Sequence, residues 1–304
     1  MIEWFDNHCH LSENPEEEIL RAREALVTGF VNVGTDLETS QMAMEKAKRF
    51  PDVWSTAGVH PHEARKGVDG IKGLLEDPNV VAVGEAGLDY HYDYSPREDQ
   101  NRVFAEQIEM ANTSKLPLVI HTREAWEETF KILDSEGVPA STVFHCFTGG
   151  KEEAKECLKR GAYLSFSGII TFNKSELLRE AASECPLDRA MIETDSPYLT
   201  PVPFRGKKND TNCQSSYKNS YVKDIKHLGF ASNVSGYNGE VIYGMAGTNN
   251  GKVVGISTAG ECVEVIPHSS LKMRPRAMEV RLSLIHISEP TRRTPISYAV
   301  FCLK

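Results

Sequence analysis

Short apolar runs alternate with helical stretches along the first two thirds of the chain, and this alternation strongly limits the fold. Eight such runs lie at residues 2–6, 30–33, 53–59, 80–83, 116–120, 142–144, 162–166 and 189–192. Runs that are apolar throughout are typical of strands buried on both faces, as in parallel sheets. Helix-start signals lie between them, including Asn14-Pro15 and the capping box Ser95-Pro96-Arg97-Glu98. The pattern predicts an α/β protein with a (β/α)₈ TIM-like barrel.

An open doubly wound sheet is the alternative to the barrel. Its usual nucleotide-binding signatures are G-x-G-x-x-G after the first strand and G-x-x-x-x-G-K-[ST], and the sequence contains neither. We therefore favour the barrel.

Polar side chains follow most of the apolar runs. They are His8, His10, His60, His62, Glu85, His121, His145 and Asp195. The carboxyl ends of barrel strands surround one mouth, so we expect these side chains to converge there. One histidine at a strand end is commonly structural, but six around one mouth point to a shared metal.

Two carboxylates extend this argument. Glu85 directly follows an apolar run, where a buried charge is costly unless it is compensated. Either it forms a salt bridge at the end of the strand, or its two oxygens bridge two cations. Asp195 follows the last run and is placed to bind metal or to take a proton from water.

Charge and cysteine content limit the functional class. The formal net charge of −9 disfavours a protein that coats duplex DNA through Lys and Arg alone. The seven cysteines form no C-x-x-C pair, which argues against a disulfide framework or structural zinc and favours the cytoplasm. No apolar run approaches the ~18–20 residues of a membrane helix, so no membrane association is expected. No protein partner is predicted.

The motifs together resemble those of the TatD-type metal-dependent deoxyribonucleases, a family of the amidohydrolase superfamily. The matching segments are Asp6-Asn7-His8-Cys9-His10-Leu11, Gly58-Val59-His60-Pro61-His62, Val83-Gly84-Glu85-Ala86-Gly87-Leu88-Asp89-Tyr90, Ile120-His121-Thr122-Arg123, His145-Cys146-Phe147-Thr148-Gly149 and Glu193-Thr194-Asp195-Ser196-Pro197-Tyr198-Leu199.

The resemblance implies a two-metal site for Mg, Mn or Zn. One ion is expected on His8, His10, Glu85 and Asp195. The other is expected on Glu85, His121 and His145. His60 would contact the substrate phosphate, which makes Glu85, Asp195 and His60 the expected catalytic residues.

The resemblance also implies an activity. The family removes nucleotides from DNA, typically from the 3′ end, and some members are linked to DNA repair or to deacylation of D-aminoacyl-tRNA. We therefore expect a 3′–5′ exodeoxyribonuclease acting on single-stranded DNA ends. The alternatives are an amidohydrolase or deacylase that uses the same site, or an inactive product of a disrupted reading frame. Tyr90, Tyr92 and Tyr94 either stack on bases or pack over the rim.

The amino-acid composition changes near residue 209. Residues 209–304 hold 11 basic and 7 acidic residues, against 23 and 36 in residues 1–208. We expect a barrel at 1–208 and an atypical tail of low order at 209–304, with the outer helical layer incomplete. Residues 283–291 look like translated sequencing-adaptor DNA, so a frameshift or chimeric join is favoured over a genuine appended module.

Overall fold

The eight apolar runs form one sheet of eight parallel strands. The computed structural model describes residues 4–209 except 26, 187 and 203, and also the backbone of three short strands further along the chain. The strands are β1 (Trp4–Cys9), β2 (Val27–Asn32), β3 (Val53–Ala57), β4 (Val80–Asp89), β5 (Leu118–Arg123), β6 (Thr142–Phe144), β7 (Tyr163–Phe166) and β8 (Ala190–Ile192). Each pairs in parallel with the next, in the order β1 to β8, which confirms the predicted barrel.

Helices connect consecutive strands, as the alternation predicts. They are α1 (Glu16–Glu24), α2 (Leu37–Arg49), α3 (Ile71–Leu74), α4 (Arg97–Ser114), α5 (Trp126–Glu136), α6 (Lys151–Lys159) and α7 (Glu176–Glu184). Two 3₁₀ helices, Pro61–Lys66 and Gly168–Thr171, follow β3 and β7. No helix in this described portion is long and apolar enough to cross a bilayer.

The predicted capping box before α4 is wrong. Pro96 occupies the N-cap position and no side chain caps the helix. The Ser95 hydroxyl instead donates a hydrogen bond to the carbonyl oxygen of His62 at 2.7 Å. Ser95 therefore ties the start of α4 to the loop after β3, because a carbonyl on a neighbouring element competes successfully for its hydroxyl.

The barrel closes through contacts between β1 and the segment after β8. Asp195 N donates to His8 O at 2.9 Å, and His10 N donates to Ser196 O at 2.7 Å. Below them the buried Asp6 carboxylate accepts hydrogen bonds from the amide and the hydroxyl of Thr194. Burial raises the pKa of Asp6 to about 7.

Apolar side chains, most of them from strands, fill the lower interior of the barrel. Phe5, Val31, Val143 and Met191 form a buried cluster there, and the ring of Trp54 lies 5.5 Å from that of Phe5. A second, larger core packs the strands against the helices. The polar side chains that follow the apolar runs lie above this cluster, at the C-terminal ends of the strands, where sites form in barrels.

The predicted tail is described only in part. Besides Asn209, its described residues are β9 (Met245–Gly247), β10 (Val253–Ile256) and β11 (Cys262–Ile266), which pair as an antiparallel sheet. Residues 283–291 lie outside the described residues. The domain boundary near residue 209, the frameshift hypothesis and the cytoplasmic location stay predictions.

Candidate metal centre

Glu85 lies at the centre of the barrel mouth and is 4% exposed. Its Oε1 atom is 2.7 Å from His145 Nε2 and 3.0 Å from His121 Nδ1, whereas Oε2 is 3.5 Å from His8 Nε2. Burial alone would raise the pKa of Glu85, but the surrounding imidazoles, above all His145, hold it well below its usual range. Glu85 is therefore a buried carboxylate whose two oxygens face different groups of histidines.

Close backbone packing places Glu85 there. Gly84 has a φ of 139°, and a Cβ at that position would lie 2.6 Å from Val119 O on the neighbouring strand. Any larger residue would push β4 away from β5 and displace the carboxylate that follows.

A first group of donors surrounds Oε2 of Glu85. His10 Nε2 lies 3.9 Å from this atom and 3.6 Å from Asp195 Oδ1. His8 Nε2 lies 3.7 Å from the same Asp195 oxygen. Two imidazoles and two carboxylates thus converge on one small volume.

The surroundings of the His8 ring show whether a metal fits this site. The side chain is fully buried, and neither ring nitrogen has a hydrogen-bond partner among the described residues. Burial lowers the pKa of His8, which favours the neutral ring with an available lone pair. An unpartnered buried nitrogen is unfavourable unless a ligand satisfies it, so a cation at this position fits the residues present.

A second group surrounds Oε1 of Glu85. His121 Nδ1 and His145 Nε2 lie 3.4 Å apart, and His60 Nε2 lies 3.4 Å from the same carboxylate oxygen. Burial lowers the pKa of His145, but the neighbouring Glu85 and Glu193 raise it well above its usual value. Surroundings that stabilise a proton there also favour a metal cation.

Three imidazoles have an oxygen acceptor at the outer ring nitrogen. The pairs are His10 Nδ1 with Val33 O at 3.2 Å, His145 Nδ1 with Glu193 Oε1 at 3.2 Å, and His121 Nε2 with Asp89 Oδ2 at 3.3 Å. The inner nitrogens of His121 and His145 also face an acceptor, Glu85 Oε1, at 3.0 Å and 2.7 Å. A cation at Glu85 would replace the proton on an inner nitrogen, and the outer oxygen would then hold the remaining proton of each ring, as is common for metal-bound imidazoles.

His60 has the opposite arrangement. Its Nδ1 accepts a hydrogen bond from the backbone N–H of His62 at 3.1 Å. Burial lowers the pKa of His60 well below its usual value, so the ring is neutral and its proton is on Nε2. The nitrogen that faces Glu85 is therefore a hydrogen-bond donor, which separates His60 chemically from the other histidines.

Two carboxylates that contact the proposed ligands had no role predicted from the sequence. Glu193 accepts from His145 and from the backbone N–H of Cys146, and Asp89 contacts both His121 and His62. Both are buried, and each follows an apolar strand segment. A buried acidic residue next to a predicted ligand was the available signal, because ligating histidines commonly need an acceptor on the other nitrogen.

All seven predicted site residues lie at this mouth. They are His8, His10, His60, Glu85, His121, His145 and Asp195. His62, also expected there, lies one step further out, with Nε2 2.9 Å from Asp89 Oδ2. The mouth therefore combines three imidazoles with oxygen acceptors at their outer nitrogens, one inward N–H donor and two carboxylates. It also holds the fully buried imidazole of His8, which has no hydrogen-bond partner among the described residues.

The sequence is similar to those of known metal-dependent hydrolases. The sequence model of the family described as TatD related DNase matches residues 5–231. The chain is 41% identical to the Bacillus subtilis uncharacterized metal-dependent hydrolase YabD over 236 residues, covering 74% of this chain and 92% of that protein. It is 34% identical to the Salmonella typhimurium 3′-5′ ssDNA/RNA exonuclease TatD over 213 residues, covering 68% and 82%.

Solved structures show the same fold. An Escherichia coli TatD homologue matches with a TM-score of 0.67 and 24% identity, covering 76% of this chain and 95% of that one. A TatD family hydrolase from Entamoeba histolytica matches with a TM-score of 0.64 and 21% identity, covering 77% and 96%.

Proposed function

The chain belongs to the TatD family of metal-dependent hydrolases, and on that premise we propose that it is a 3′–5′ exonuclease of single-stranded DNA that uses two divalent ions. The observation that carries the proposal is the position of Glu85, whose oxygens lie between two groups of imidazoles. A shared carboxylate of this kind suits a site with two cations, which is common among enzymes that cleave phosphodiesters. The name of the Salmonella typhimurium relative supports the substrate and the polarity.

The proposed ligands form two sets that share Glu85. One set is His8, His10, Glu85 and Asp195. The other is Glu85, His121 and His145. Bound divalent ions would supply the positive charge that activates water and stabilises the leaving oxygen. Imidazole suits zinc and carboxylate suits magnesium or manganese, so all three metals belong in the assay.

The protein's own groups then have distinct tasks. Asp195 belongs to the first set and is also positioned to accept a proton from the attacking water. His60 directs its Nε2–H toward Glu85 and the mouth, where it can donate to a phosphate oxygen as negative charge develops. Glu193 and Asp89 hold His145 and His121 in the required tautomers.

An amidohydrolase or deacylase remains the second candidate. The site offers no lysine on β4 that could be carbamylated, since Glu85 occupies the central position on that strand. A glutamate at this position favours phosphodiester cleavage. The test therefore also includes ester and amide substrates.

The first test measures metal dependence on the full chain of 304 residues. We expect a 5′-labelled single-stranded oligonucleotide to shorten progressively with Mg²⁺, Mn²⁺ or Zn²⁺. Excess chelator should abolish the reaction, and added metal should restore it. Undiminished activity in chelator would reject the metal mechanism, while hydrolysis of a D-aminoacyl ester without nuclease activity would favour the deacylase.

A second test concerns His60. His60→Ala should lower kcat by ~10²-fold because a donor to the transition-state phosphate is lost, while bound metal stays unchanged. His60→Gln keeps an N–H donor and should recover part of the rate. Leu20→Ala, at an apolar residue that is 56% exposed on α1, is the control for loss of a surface side chain. Metal analysis decides the role, because loss of an ion in His60→Ala would make His60 a ligand instead.

A further inference from the structure

Two tyrosines project from the rim next to the candidate metal centre. Tyr92 and Tyr94, here called the tyrosine stack, follow β4, and their rings lie 5.2 Å apart at an interplanar angle of 14°. Tyr92 is 46% exposed and Tyr94 is 59% exposed. Two large aromatic rings are thus held parallel to each other while much of their surface faces solvent.

Tyr90 behaves differently from the tyrosine stack, although it lies on the same segment. Its hydroxyl donates to Asn101 Oδ1 at 2.7 Å, and the ring packs against the main core. The guanidinium of Arg97 lies 4.1 Å from its ring centre. The packing alternative therefore accounts for Tyr90 and leaves the exposure of the tyrosine stack unexplained.

Ring contacts connect the tyrosine stack to the metal centre. The ring of His62 lies 4.6 Å from that of Tyr94 and 5.6 Å from that of Tyr92. On its other side it lies 4.3 Å from the ring of His60, whose Nε2 faces Glu85. Two histidine rings thus lie between the central carboxylate and the exposed tyrosines.

Arg123 adds a positive charge to this surface. Its guanidinium lies 4.7 Å from the ring centre of Tyr92. The charge is local, since the sequence as a whole carries a net charge of −9. An acidic protein gains little from general attraction to a phosphate backbone, so contacts to bases must contribute more of the affinity.

We propose that the tyrosine stack is a base-stacking subsite for single-stranded nucleic acid, with Arg123 beside it to contact a phosphate. This proposal rests on the proposed nuclease function, and it gives a physical reason why the enzyme would prefer single strands to duplexes. Bases of a single strand expose their faces to aromatic side chains, whereas bases inside a duplex already stack on each other. Stacking accepts every base, so the subsite would discriminate by strandedness and not by sequence.

The test measures binding separately from turnover. The probe is a fluorescent single-stranded phosphorothioate oligonucleotide, which resists hydrolysis, in Mg²⁺. We expect the double variant Tyr92→Ala/Tyr94→Ala to weaken its binding by ~10-fold or more. The double variant Tyr92→Phe/Tyr94→Phe keeps both rings and should bind within a small factor of wild type. Leu177→Ala, at an apolar residue that is 70% exposed on α7, controls for loss of a surface side chain.

An abasic probe identifies stacking as the cause. Oligonucleotides with abasic sites near the 3′ end should bind wild type ~10-fold more weakly, and the alanine double variant should not distinguish them from intact probes. Duplex probes should show no such dependence. Equal binding of intact and abasic probes by wild type, or no binding of either, would overturn the subsite.

The outcome separates this inference from the proposed function. Progressive digestion of the labelled oligonucleotide without any base-dependent binding would retain the nuclease and reject the tyrosine stack as a subsite. Base-dependent binding without digestion would retain the subsite and reject the exonuclease. A parallel RNA probe shows whether the same rings also accept ribonucleotides.

Discussion

Replacing Glu85 by glutamine is expected to lower kcat on single-stranded DNA by ~10³-fold or more and to reduce the bound divalent metal. The two oxygens of Glu85 lie 2.7 Å from His145 and 3.5 Å from His8, so one side chain serves both proposed ligand sets. Glutamine has nearly the same volume as glutamate but no charge. The loss of activity and of metal would therefore be due to the missing charge and not to altered packing. Elemental analysis and steady-state kinetics on the same preparation measure both effects.

Glu193→Gln is the matched control for this prediction. Glu193 is equally buried but contacts the outer nitrogen of His145 and the amide of Cys146, and it lies outside both proposed ligand sets. Loss of an outer partner typically costs ~10–100-fold in metal affinity or activity. A Glu85→Gln enzyme that keeps both ions and loses less activity than Glu193→Gln would contradict the shared position of Glu85.

The positions of the histidines in the sequence are enough to predict that they converge. They are not enough to predict where the strands end. The apolar run ends at residue 83, and a prediction from hydrophobicity therefore ends the strand there. In the structure β4 continues to Asp89 and β5 continues to Arg123, so Glu85 and His121 lie within strands. Parallel pairing persists into the mouth because backbone hydrogen bonds do not require apolar side chains.

The resemblance gave His60 a role apart from the other histidines, but the protonation that distinguishes it was outside the reach of the sequence. It depends on which ring nitrogen meets an acceptor and which meets a donor. The acceptor of His10 is the carbonyl of Val33 on a neighbouring element, and the donor to His60 is the amide of His62. Such contacts depend on atomic positions after folding, so residue type and spacing gave the members of the site without their protonation.

Asp195→Asn is expected to lower kcat by ~10²–10⁴-fold while the protein keeps its fold. Asp195 Oδ1 lies 3.6 Å from His10 Nε2 and 3.7 Å from His8 Nε2, so its charge acts on the first proposed ligand set. Its backbone has a φ of 52°, in the left-handed region that asparagine tolerates well. Asparagine should therefore preserve the backbone hydrogen bond to His8 that closes the barrel, and remove only the charge.

Asp195→Ala separates the chemical role of this residue from its backbone role. Alanine lacks the local hydrogen bonding that eases a left-handed conformation, which costs about 1–2 kcal/mol. Both variants should lose comparable turnover, because both lack the carboxylate, but alanine alone should lower Tm by several degrees. Kinetics and thermal unfolding on the two proteins measure these effects together. If Asp195→Asn turns over at nearly the wild-type rate, Asp195 is not a catalytic residue. If Tm drops equally in both variants, the Asp195 side chain has a structural role in closing β1 against the segment after β8.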